Sequence, residues 1–319
     1  MTGLSATFLL LSTGEAPLLE HSLPAALAAE PDELVVVDNG CTDDTAAIAA
    51  RHGVRRLAIA PRLSYAAAMN ASLAVTGGDL VGLLTADCFV DPGFREAASA
   101  PFADAAVGSV APRLLRTRGP RIADRLDLID AAGMVVDRRR KNGLVGHGAA
   151  TSAFTRPGRA FGADGAAAVY RRATLEDCAI GHEVFDEDFE LWASDADLAW
   201  RARLLGWRCI YEPAAISHHI RSYSPSTRTQ MSEAARQLQF RNRLLMIAKN
   251  DSAGELLRDL PIVAGYEALA LGHVLLRERH LLRGYREAWR RRAGARRRRR
   301  VIQRRRRVRR TGFGLRPPA

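Results

Sequence analysis

Two aspartates stand directly in front of an apolar, helix-spaced run in the segment SDADLAWRARLLGW, residues 194–207. Ser194 followed by Asp197 fits the S/T-x-x-D/E capping box, in which the two side chains satisfy free amides of a helix's first turn. Asp195 then falls in that first turn, where the helix dipole favours the ionised carboxylate. Such a carboxylate either complements the helix end or accepts a proton from a substrate as a general base. The choice depends on which other groups the chain brings near it.

Other carboxylates follow two short apolar runs in the first hundred residues. Asp38, Asn39 and Asp43 come after LVVV in the segment DNGCTDD, and Asp87 comes after LVGLLTA. Taken alone, DNG is typical of a tight turn before a helix. Ligands of parallel sheets bind at the carboxyl ends of the strands. Because two acidic strand ends would meet at that edge, a functional role is favoured for these side chains.

The residues around these positions alternate between strand and helix patterns. ATFLLLS, DELVVVDNG and DLVGLLTADC are apolar or β-branched runs, whereas DDTAAIAARHG and SYAAAMNASLAVTGG are rich in alanine and helix-forming. This alternation predicts an α/β fold built from βαβ units, with a parallel sheet covered on both faces. Residues 117–165 are less regular, and DAAGMVVDRRRKNGLVGHG fits a hairpin or an extended loop over a site.

Composition limits the function classes. A chain of 319 residues with 47% hydrophobic content is long enough for one large core or two modest ones. Its four cysteines are scattered, so neither a zinc site nor a disulfide framework is expected, and a reducing cytoplasm fits best. The N-terminal apolar run is read as a first strand and not as a signal peptide. Residues 260–276 contain Pro261, Glu267 and His273, so no transmembrane helix is expected.

The formal net charge of +12 comes from one segment of the chain. Residues 283–310 hold sixteen arginines against one glutamate, which leaves the rest close to neutral, and the basic surplus is therefore assigned to a tail outside the folded body. Arginine-rich tails bind nucleic-acid phosphates or anionic lipid headgroups. The arginine run of this tail, residues 290–310, has no interleaved aromatic residues and no known nucleic-acid recognition motif, so specific nucleic-acid binding is not expected. An anionic membrane surface is the expected partner, and a disordered, solubilising tail is the alternative.

Three stretches together resemble the family 2 glycosyltransferases, particularly the bacterial rhamnosyltransferase-like branch that builds cell-envelope glycans. They are VVVDNGCTDDT, LLTADCFVDPGF, and GAAAVYRR followed by FDEDFELWASDADLAWRARLLGWRCIYEPAAISHH. The resemblance implies a GT-A fold, that is, a Rossmann-like mixed sheet flanked by helices, to which C-terminal helices and the basic tail are added. It also implies a nucleotide-diphosphate sugar donor and an inverting transfer to a hydroxyl.

The resemblance assigns donor-side roles to individual residues. Asp87 matches the last aspartate of the family's D-x-D metal motif. Asp38, with Asn39 beside it, resembles the contact to the nucleotide base or ribose, and Asn70 resembles a donor-side asparagine. His218 matches a position where related transferases place a metal-coordinating histidine, the alternative being a hydrogen bond at a strand end. A divalent cation, Mg²⁺ or Mn²⁺, would then neutralise the departing diphosphate.

The acceptor side is assigned in the same way. Asp195 aligns with the second acid of the family's E-D or D-D pair, which acts as the general base. Asp188 lies in an acidic loop that the family uses to shape the acceptor pocket, the alternative being a solvated loop. Trp192 stacks on a sugar or fills the core. Two positions depart from the pattern, because Thr85 replaces the first acid of the metal motif and Ser194 replaces the first acid of the pair.

The expected protein is therefore an inverting glycosyltransferase of cell-envelope polysaccharide biosynthesis. It would move a sugar, such as a rhamnose-like one, to a glycan or lipid-linked hydroxyl, in the cytoplasm at the inner face of the plasma membrane. The expected organisation is a nucleotide-sugar-binding half (1–104) and an acceptor-binding half (105–225) of one domain, a helical segment (226–282) and an Arg-rich tail (283–319). The alternatives are a catalytically degenerate, sugar-binding relative and a basic nucleic-acid-binding protein.

Overall fold

The structure is a computed structural model that describes residues 3–223 and 227–319. Its strands are β1 (Ala6–Ser12), β2 (Glu33–Asn39), β3 (Arg55–Ile59), β4 (Leu80–Thr85), β5 (Cys88–Val90), β6 (Val107–Thr117), β7 (Arg125–Ala131), β8 (Met134–Val136), β9 (Asn142–Leu144), β10 (Gly158–Ala160), β11 (Ala167–Arg171) and β12 (Arg208–His219). Its α-helices are α1 (Ala16–Ala28), α2 (Thr45–Arg51), α3 (Tyr65–Ala74), α4 (Phe94–Ser99), α5 (Arg172–Cys178), α6 (Ser194–Leu204), α7 (Glu233–Asn250), α8 (Ala253–Arg258), α9 (Leu260–Leu276) and α10 (Leu282–Arg305).

A ten-stranded mixed sheet forms the centre of the fold. The strand order is β10-β12-β6-β11-β4-β1-β2-β3, with β5 and β7 pairing onto β12 and β6. The half built from β4, β1, β2 and β3 is parallel, and β11 runs antiparallel to β4. Val35 and Val36, which are neighbours on β2 and point to opposite faces of the sheet, are both fully buried, as a parallel sheet covered on both faces requires. The α/β fold is thus the predicted one. Of the two structures expected for residues around β8 and β9, a hairpin or an extended loop, the hairpin is present.

Three parallel strands end together and form the edge on which the site is built. The register pairs Ser12 with Asp38, and Leu11 with Thr85, so β1, β2 and β4 reach the same level. The sheet also continues across the expected division at 104/105, since β11 joins β4 to β6. The expected boundary at 225/226 lies outside the described residues.

The basic segment is part of the folded body, which corrects the prediction of a separate tail. Its residues form α10, which packs along α7 and buries Ala295 and Ile302. Arg291 and Arg298 point to the same side, and each pairs with Asp188, at 2.8 and 2.7 Å. Farther on, the Phe313 ring stacks edge-on against Trp200 with centroids 5.0 Å apart. The segment 177–190 is acidic, although the net charge of the whole chain does not reveal it. Its carboxylates neutralise the arginines on this face of α10.

Within the described ranges, no individual helix has both the length and the apolar character needed to cross a bilayer. Only α9 taken together with Arg279–Arg305 meets those two criteria, and the two are bent by 119° at the break between them.

Lys249 neutralises two carboxylates inside the protein. Its Nζ lies 2.5 Å from Asp186 Oδ2 and 2.8 Å from Asp197 Oδ2, and all three side chains are almost inaccessible to solvent. A buried charge that loses its partner is strongly destabilising. The ion pairs therefore attach both α6 and the loop that precedes it to α7.

We expect Lys249→Met to lower the free energy of unfolding by about 3–5 kcal/mol, because two buried carboxylates each lose a cation at hydrogen-bond distance. Arg201 on Asp197 and Arg298 on Asp186 remain as partial compensation. Urea unfolding followed by circular dichroism at pH 7 measures the change. The matched control is Lys141→Met, which makes the same substitution at the other, exposed lysine of the chain and should alter stability by less than about 0.5 kcal/mol. Equal unfolding midpoints for the two variants would contradict the prediction.

Candidate active site

A cavity of about 630 Å³ opens at the carboxyl edge of the sheet. Its walls come from the ends of β1, β2 and β4, the segment 62–65 at the start of α3, and the segment 164–166 before β11. The segment 190–195 leading into α6 and the end of β12 with the residues after it complete them. This volume is in the range of small-molecule sites. Its charged lining includes Asp87, Asp164, Asp195, His219 and Arg221.

Asp87 lies between a hydroxyl and an imidazole. Thr85 Oγ1 donates to its Oδ1 at 2.5 Å, and His219 Nε2 lies 3.5 Å from its Oδ2. Burial alone would raise the pKa of Asp87, but the hydrogen bonds from His219 and Thr85 and the charge of His219 hold it below the ordinary value. The carboxylate is therefore ionised at neutral pH. Thr85, which replaces the first acid of the metal motif, supports Asp87 through its hydroxyl.

His219 is oriented by a second carboxylate. Its Nδ1 lies 2.8 Å from Oδ2 of Asp130, a fully buried residue. Burial alone would lower the pKa of His219, but hydrogen bonds to Asp130 and Asp87 raise it to about 9. Histidines that bind metals commonly donate one ring N–H to a carboxylate and present the other nitrogen to the ion. His219 has this arrangement, with Nε2 directed toward Asp87.

The structure corrects the predicted pairing of Asp87 with His218. Successive side chains of a strand point to opposite faces, and His218 Nε2 lies 3.3 Å from Asp91 Oδ2, away from the cavity. The strand-end hydrogen bond considered as the alternative is thus the one present. Sequence spacing alone does not tell which of two adjacent histidines faces a cavity.

Arg221 connects two carboxylates beside His219. Its Nε lies 2.8 Å from Asp130 Oδ2 and its Nη2 lies 3.0 Å from Asp164 Oδ2. Sequence reasoning singled out none of Arg221, Asp130 and Asp164. The available signal was weak, because the two-residue step from His219 to Arg221 places both on one side of an extended chain, while the aspartates come from distant segments.

Asp195 lines the same cavity and is half-buried. Its Oδ1 accepts a hydrogen bond from the Ala196 amide at 2.7 Å, and its Oδ2 accepts one from the Gly165 amide at 3.2 Å. Burial and the negative charge of Asp164 raise the pKa of Asp195 to about 6. A carboxyl group whose pKa lies near the working pH is well suited to accept a proton.

The predicted capping box at the start of α6 is not formed. Ala193 precedes the helix in the left-handed conformation, with φ of 66°. Ser194 Oγ donates to the Leu191 carbonyl at 2.7 Å. Asp197 is structural, as expected, but its carboxylate binds Lys249 and Arg201 inside the protein. The buried cations outcompete the helix amides for it.

Asp38 and Asn39 end β2 but differ in their surroundings. The Asn39 side chain exchanges two hydrogen bonds with the Leu63 backbone, each 2.9 Å long, and so holds a segment that lines the cavity. Asp38 accepts from the Cys41 amide at 2.9 Å and from Arg56 at 2.7 Å, and it does not line the cavity. Only Asn39 of this predicted pair reaches the cavity wall.

Asn70 also lies away from the cavity. Its side chain donates to the Phe185 carbonyl at 2.8 Å and accepts from the Phe185 amide at 2.9 Å. Instead of the expected donor-side contact, the structure shows Asn70 tying α3 to the segment that follows α5. Both hydrogen-bonding ends of the amide are used in that role.

The two predicted acceptor-side residues lie in different places. Trp192 lines the cavity, and its ring packs edge-on against Tyr223 with centroids 6.1 Å apart. Asp188 does not line the cavity, because its carboxylate is paired with Arg291 and Arg298 of α10. The expected acceptor contact at Asp188 is therefore corrected to an ion-paired anchor for α10.

Comparison with known sequences supports the resemblance to family 2 glycosyltransferases. The sequence model of glycosyl transferase family 2 matches residues 10–178. An uncharacterized glycosyltransferase of Mycobacterium tuberculosis (strain H37Rv) and another of Mycobacterium bovis are each 43% identical to the chain over 76 residues. That match covers 23% of this chain and 34% of each relative, so it spans about a third of the relatives' length.

Comparison with solved structures supports the fold. GalNAc-T7 with UDP, GalNAc and Mn²⁺ superposes with a TM-score of 0.59 at 14% identity, over 77% of this chain and 48% of that one. The mannosyltransferase PcManGT from Pyrobaculum calidifontis, in complex with GDP-Man and Mn²⁺, gives 0.51 at 20% identity, over 92% and 76%. S. aureus TarS with UDP-GlcNAc gives 0.53 at 14% identity, over 85% and 73%. At these identities the similarity concerns the fold alone.

Proposed function

Since the chain belongs to glycosyltransferase family 2 and has the GT-A-type fold of its structural neighbours, we propose that its cavity binds a nucleotide-diphosphate sugar and transfers the sugar, with inversion, to an acceptor hydroxyl. One observation carries this proposal. Asp195, with a raised pKa, shares a single cavity with the ionised Asp87 and the carboxylate-held His219. A proton acceptor and a set of cation ligands are the two parts that such a transfer needs.

Asp87 and His219 fit a divalent cation such as Mn²⁺ or Mg²⁺. They would supply one carboxylate oxygen, a ligand type that suits Mg²⁺ and Mn²⁺, and one imidazole nitrogen. Because the pKa of His219 is raised to about 9, the cation would displace the proton from Nε2 on binding. Among the described residues, no three His, Cys, Asp or Glu side chains gather as a metal-binding group. We propose that the diphosphate oxygens of the donor complete the coordination. The bound cation would neutralise the charge that develops on the departing diphosphate.

Asp195 is the proposed general base. Its carboxylate would take the proton of the acceptor hydroxyl while the acceptor oxygen bonds to the anomeric carbon. The bond from that carbon to the diphosphate oxygen breaks on the opposite side, so the configuration inverts. The Gly165 and Ala196 amides keep the carboxylate in a fixed orientation, and orientation of the reacting groups is a large part of enzymatic rate enhancement.

We further propose that the acceptor hydroxyl belongs to a cell-envelope glycan or a lipid-linked sugar, and that a rhamnose-like sugar is among the candidates for transfer. The resemblance to the branch that builds such glycans supports the acceptor class. We also propose a cytoplasmic location at the inner face of the plasma membrane, which the exposed arginines of α10 support.

The test is a calorimetric screen of the protein against dTDP-, UDP- and GDP-sugars with and without Mn²⁺, followed by turnover of any nucleotide sugar that binds. Stabilisation that requires both nucleotide and cation, together with release of the nucleoside diphosphate, is the expected result. Binding without turnover would assign the protein to the catalytically degenerate class. Binding of none of these donors would overturn the proposal.

The pH dependence of catalysis provides a separate prediction. A general base works when ionised, so kcat/KM should rise with pH through about 6, the pKa of Asp195. The negative charge of Asp164 favours the protonated form of Asp195. Asp164→Asn should therefore shift the acidic limb of the kcat/KM profile to lower pH.

Asp127→Asn is the matched control, because Asp127 is an exposed aspartate outside the cavity, and it should leave the profile unchanged. An acidic limb that stays in place in Asp164→Asn, or moves to higher pH, would contradict the role of Asp164.

A further inference from the structure

The helix α9 is apolar around most of its circumference, and much of that apolar surface faces outward. Ile262, Leu269 and Leu276 recur at seven-residue spacing and are 38%, 75% and 80% exposed. On its other side, Glu267 Oε1 accepts from Arg243 Nη2 at 2.7 Å. Soluble helices normally place the apolar stripe on the core, and contiguous exposed apolar surface marks an interaction site.

The helix α10 divides its arginines between two faces. One face, which includes Arg291 and Arg298, is ion-paired with the acidic segment of the catalytic domain. The opposite face presents exposed arginines that have no hydrogen-bond or ion-pair partner in the described part of the chain, namely Arg283, Arg286, Arg290, Arg297, Arg300 and Arg304. Their spacing of three, four or seven residues places them on one stripe of the helix. Trp289, next to this stripe, is 63% exposed.

No free acidic side chain lies within α9, α10 or the turn between them, all of which the structure describes. Glu267 pairs with Arg243, and Glu278 pairs with Arg228 and Arg236. Glu287 accepts from Gln237 at 2.9 Å and lies 3.5 Å from Arg241. The charged side chains of this region that lack a partner are therefore all positive.

We propose that the outer face of α9 and the free arginine stripe of α10 form a docking surface for a bilayer of anionic lipids. The docking surface consists of Ile262, Leu269, Leu276, Arg283, Arg286, Arg290, Arg297, Arg300 and Arg304. Leucines that enter the headgroup region and arginines that bind lipid phosphates are the two contributions by which an interfacial helix holds a bilayer. A second copy of the chain is a poor occupant, because it would bring the same positive charge. Nucleic acid would bind the arginines but leave the apolar face of α9 exposed to water.

The helix α10 carries the arginine stripe on one face and is joined to the cavity wall by ion pairs on the other. Arg291 and Arg298 of α10 hold Asp188, and Arg291 also lies 3.3 Å from Glu190, which lines the cavity. A bilayer bound to the outer face of α10 would therefore hold one wall of the cavity in place. This inference concerns binding alone and is independent of the proposed sugar transfer.

The test is co-sedimentation of the full chain with vesicles of phosphatidylcholine alone or mixed equally with phosphatidylglycerol, without nucleotide. We expect binding to the anionic vesicles, weaker binding as the ionic strength rises to about 0.5 M, and little binding to the neutral ones. Leu269→Glu with Leu276→Glu should weaken binding about tenfold or more through lost apolar insertion. Arg290→Gln with Arg297→Gln should weaken it and reduce its salt dependence.

Matched controls come from exposed residues outside the docking surface. Ile122→Glu replaces an apolar residue that is 78% exposed, and Arg118→Gln replaces an exposed arginine; both should bind as the wild type does. Unchanged vesicle binding in the leucine variant would overturn the proposal, because only attraction between arginines and headgroups would remain. Self-association of the wild type that the leucine variant abolishes would also overturn it, and so would binding to duplex DNA without binding to vesicles.

Discussion

We expect Asp195→Asn to lower kcat by about 10³-fold or more while the nucleotide sugar binds with unchanged affinity. Loss of a positioned general base costs about 10²- to 10⁴-fold, and an amide has no lone pair basic enough to take the hydroxyl proton. The asparagine keeps the size of the side chain and one acceptor for the Gly165 and Ala196 amides. Steady-state release of nucleoside diphosphate gives kcat, and isothermal calorimetry gives donor affinity.

The matched control is Asp44→Asn. Asp44 is an exposed aspartate next to the N-terminal end of a helix, α2, and it lies outside the cavity. Its substitution makes the same change of charge near a helix N-terminus and should leave kcat unchanged. Full turnover in Asp195→Asn would remove Asp195 from the role of base. Equal loss of donor affinity and kcat would instead make it a binding residue.

The sheet was predictable because its signal is local. Runs such as LVVV are apolar at every position, which is typical of strands buried on both faces, and the structure buries them. The convergence of Asp87 and Asp195 on one cavity was likewise predictable in part, because parallel strand ends meet at one edge and the family motif supplied the rest. Trp192 also lines the cavity, as one of its two predicted roles requires.

Contacts between distant segments were not predictable from spacing. Asn70 is saturated by the Phe185 backbone, more than a hundred residues away in sequence, and Asp188 is paired with α10 at a similar separation. Nothing local to Asn70 or Asp188 reveals such partners. The sequence of α10 weakly indicates its burial, since Ala295 and Ile302 are seven residues apart on the face opposite the free arginines. Two apolar residues among so many arginines are too few to predict a buried helix.

The prediction that most directly tests the cation ligands compares two adjacent histidines. His219→Gln should raise the apparent Kd for Mn²⁺ in the presence of donor by about 100-fold. Substitutions of residues that only support a metal ligand already cost about 10- to 100-fold in metal affinity, and His219 is the proposed ligand itself. Asp130 remains compensated in this variant, since Arg221 holds it at 2.8 Å. The fold should therefore survive, and calorimetric titration of Mn²⁺ at fixed nucleotide measures the effect.

His218→Gln is the control, because its imidazole faces Asp91 on the other side of the strand. It removes the same ring one residue away and should leave the Mn²⁺ titration unchanged. If His218→Gln weakens Mn²⁺ binding and His219→Gln does not, the assignment of His218 from sequence is correct. The end of β12 must then rotate on donor binding, so that His218 faces the cavity. If both variants titrate as the wild type does, Asp87 holds the cation without either imidazole, and the Asp130–His219 pair is a structural clamp for the end of β12.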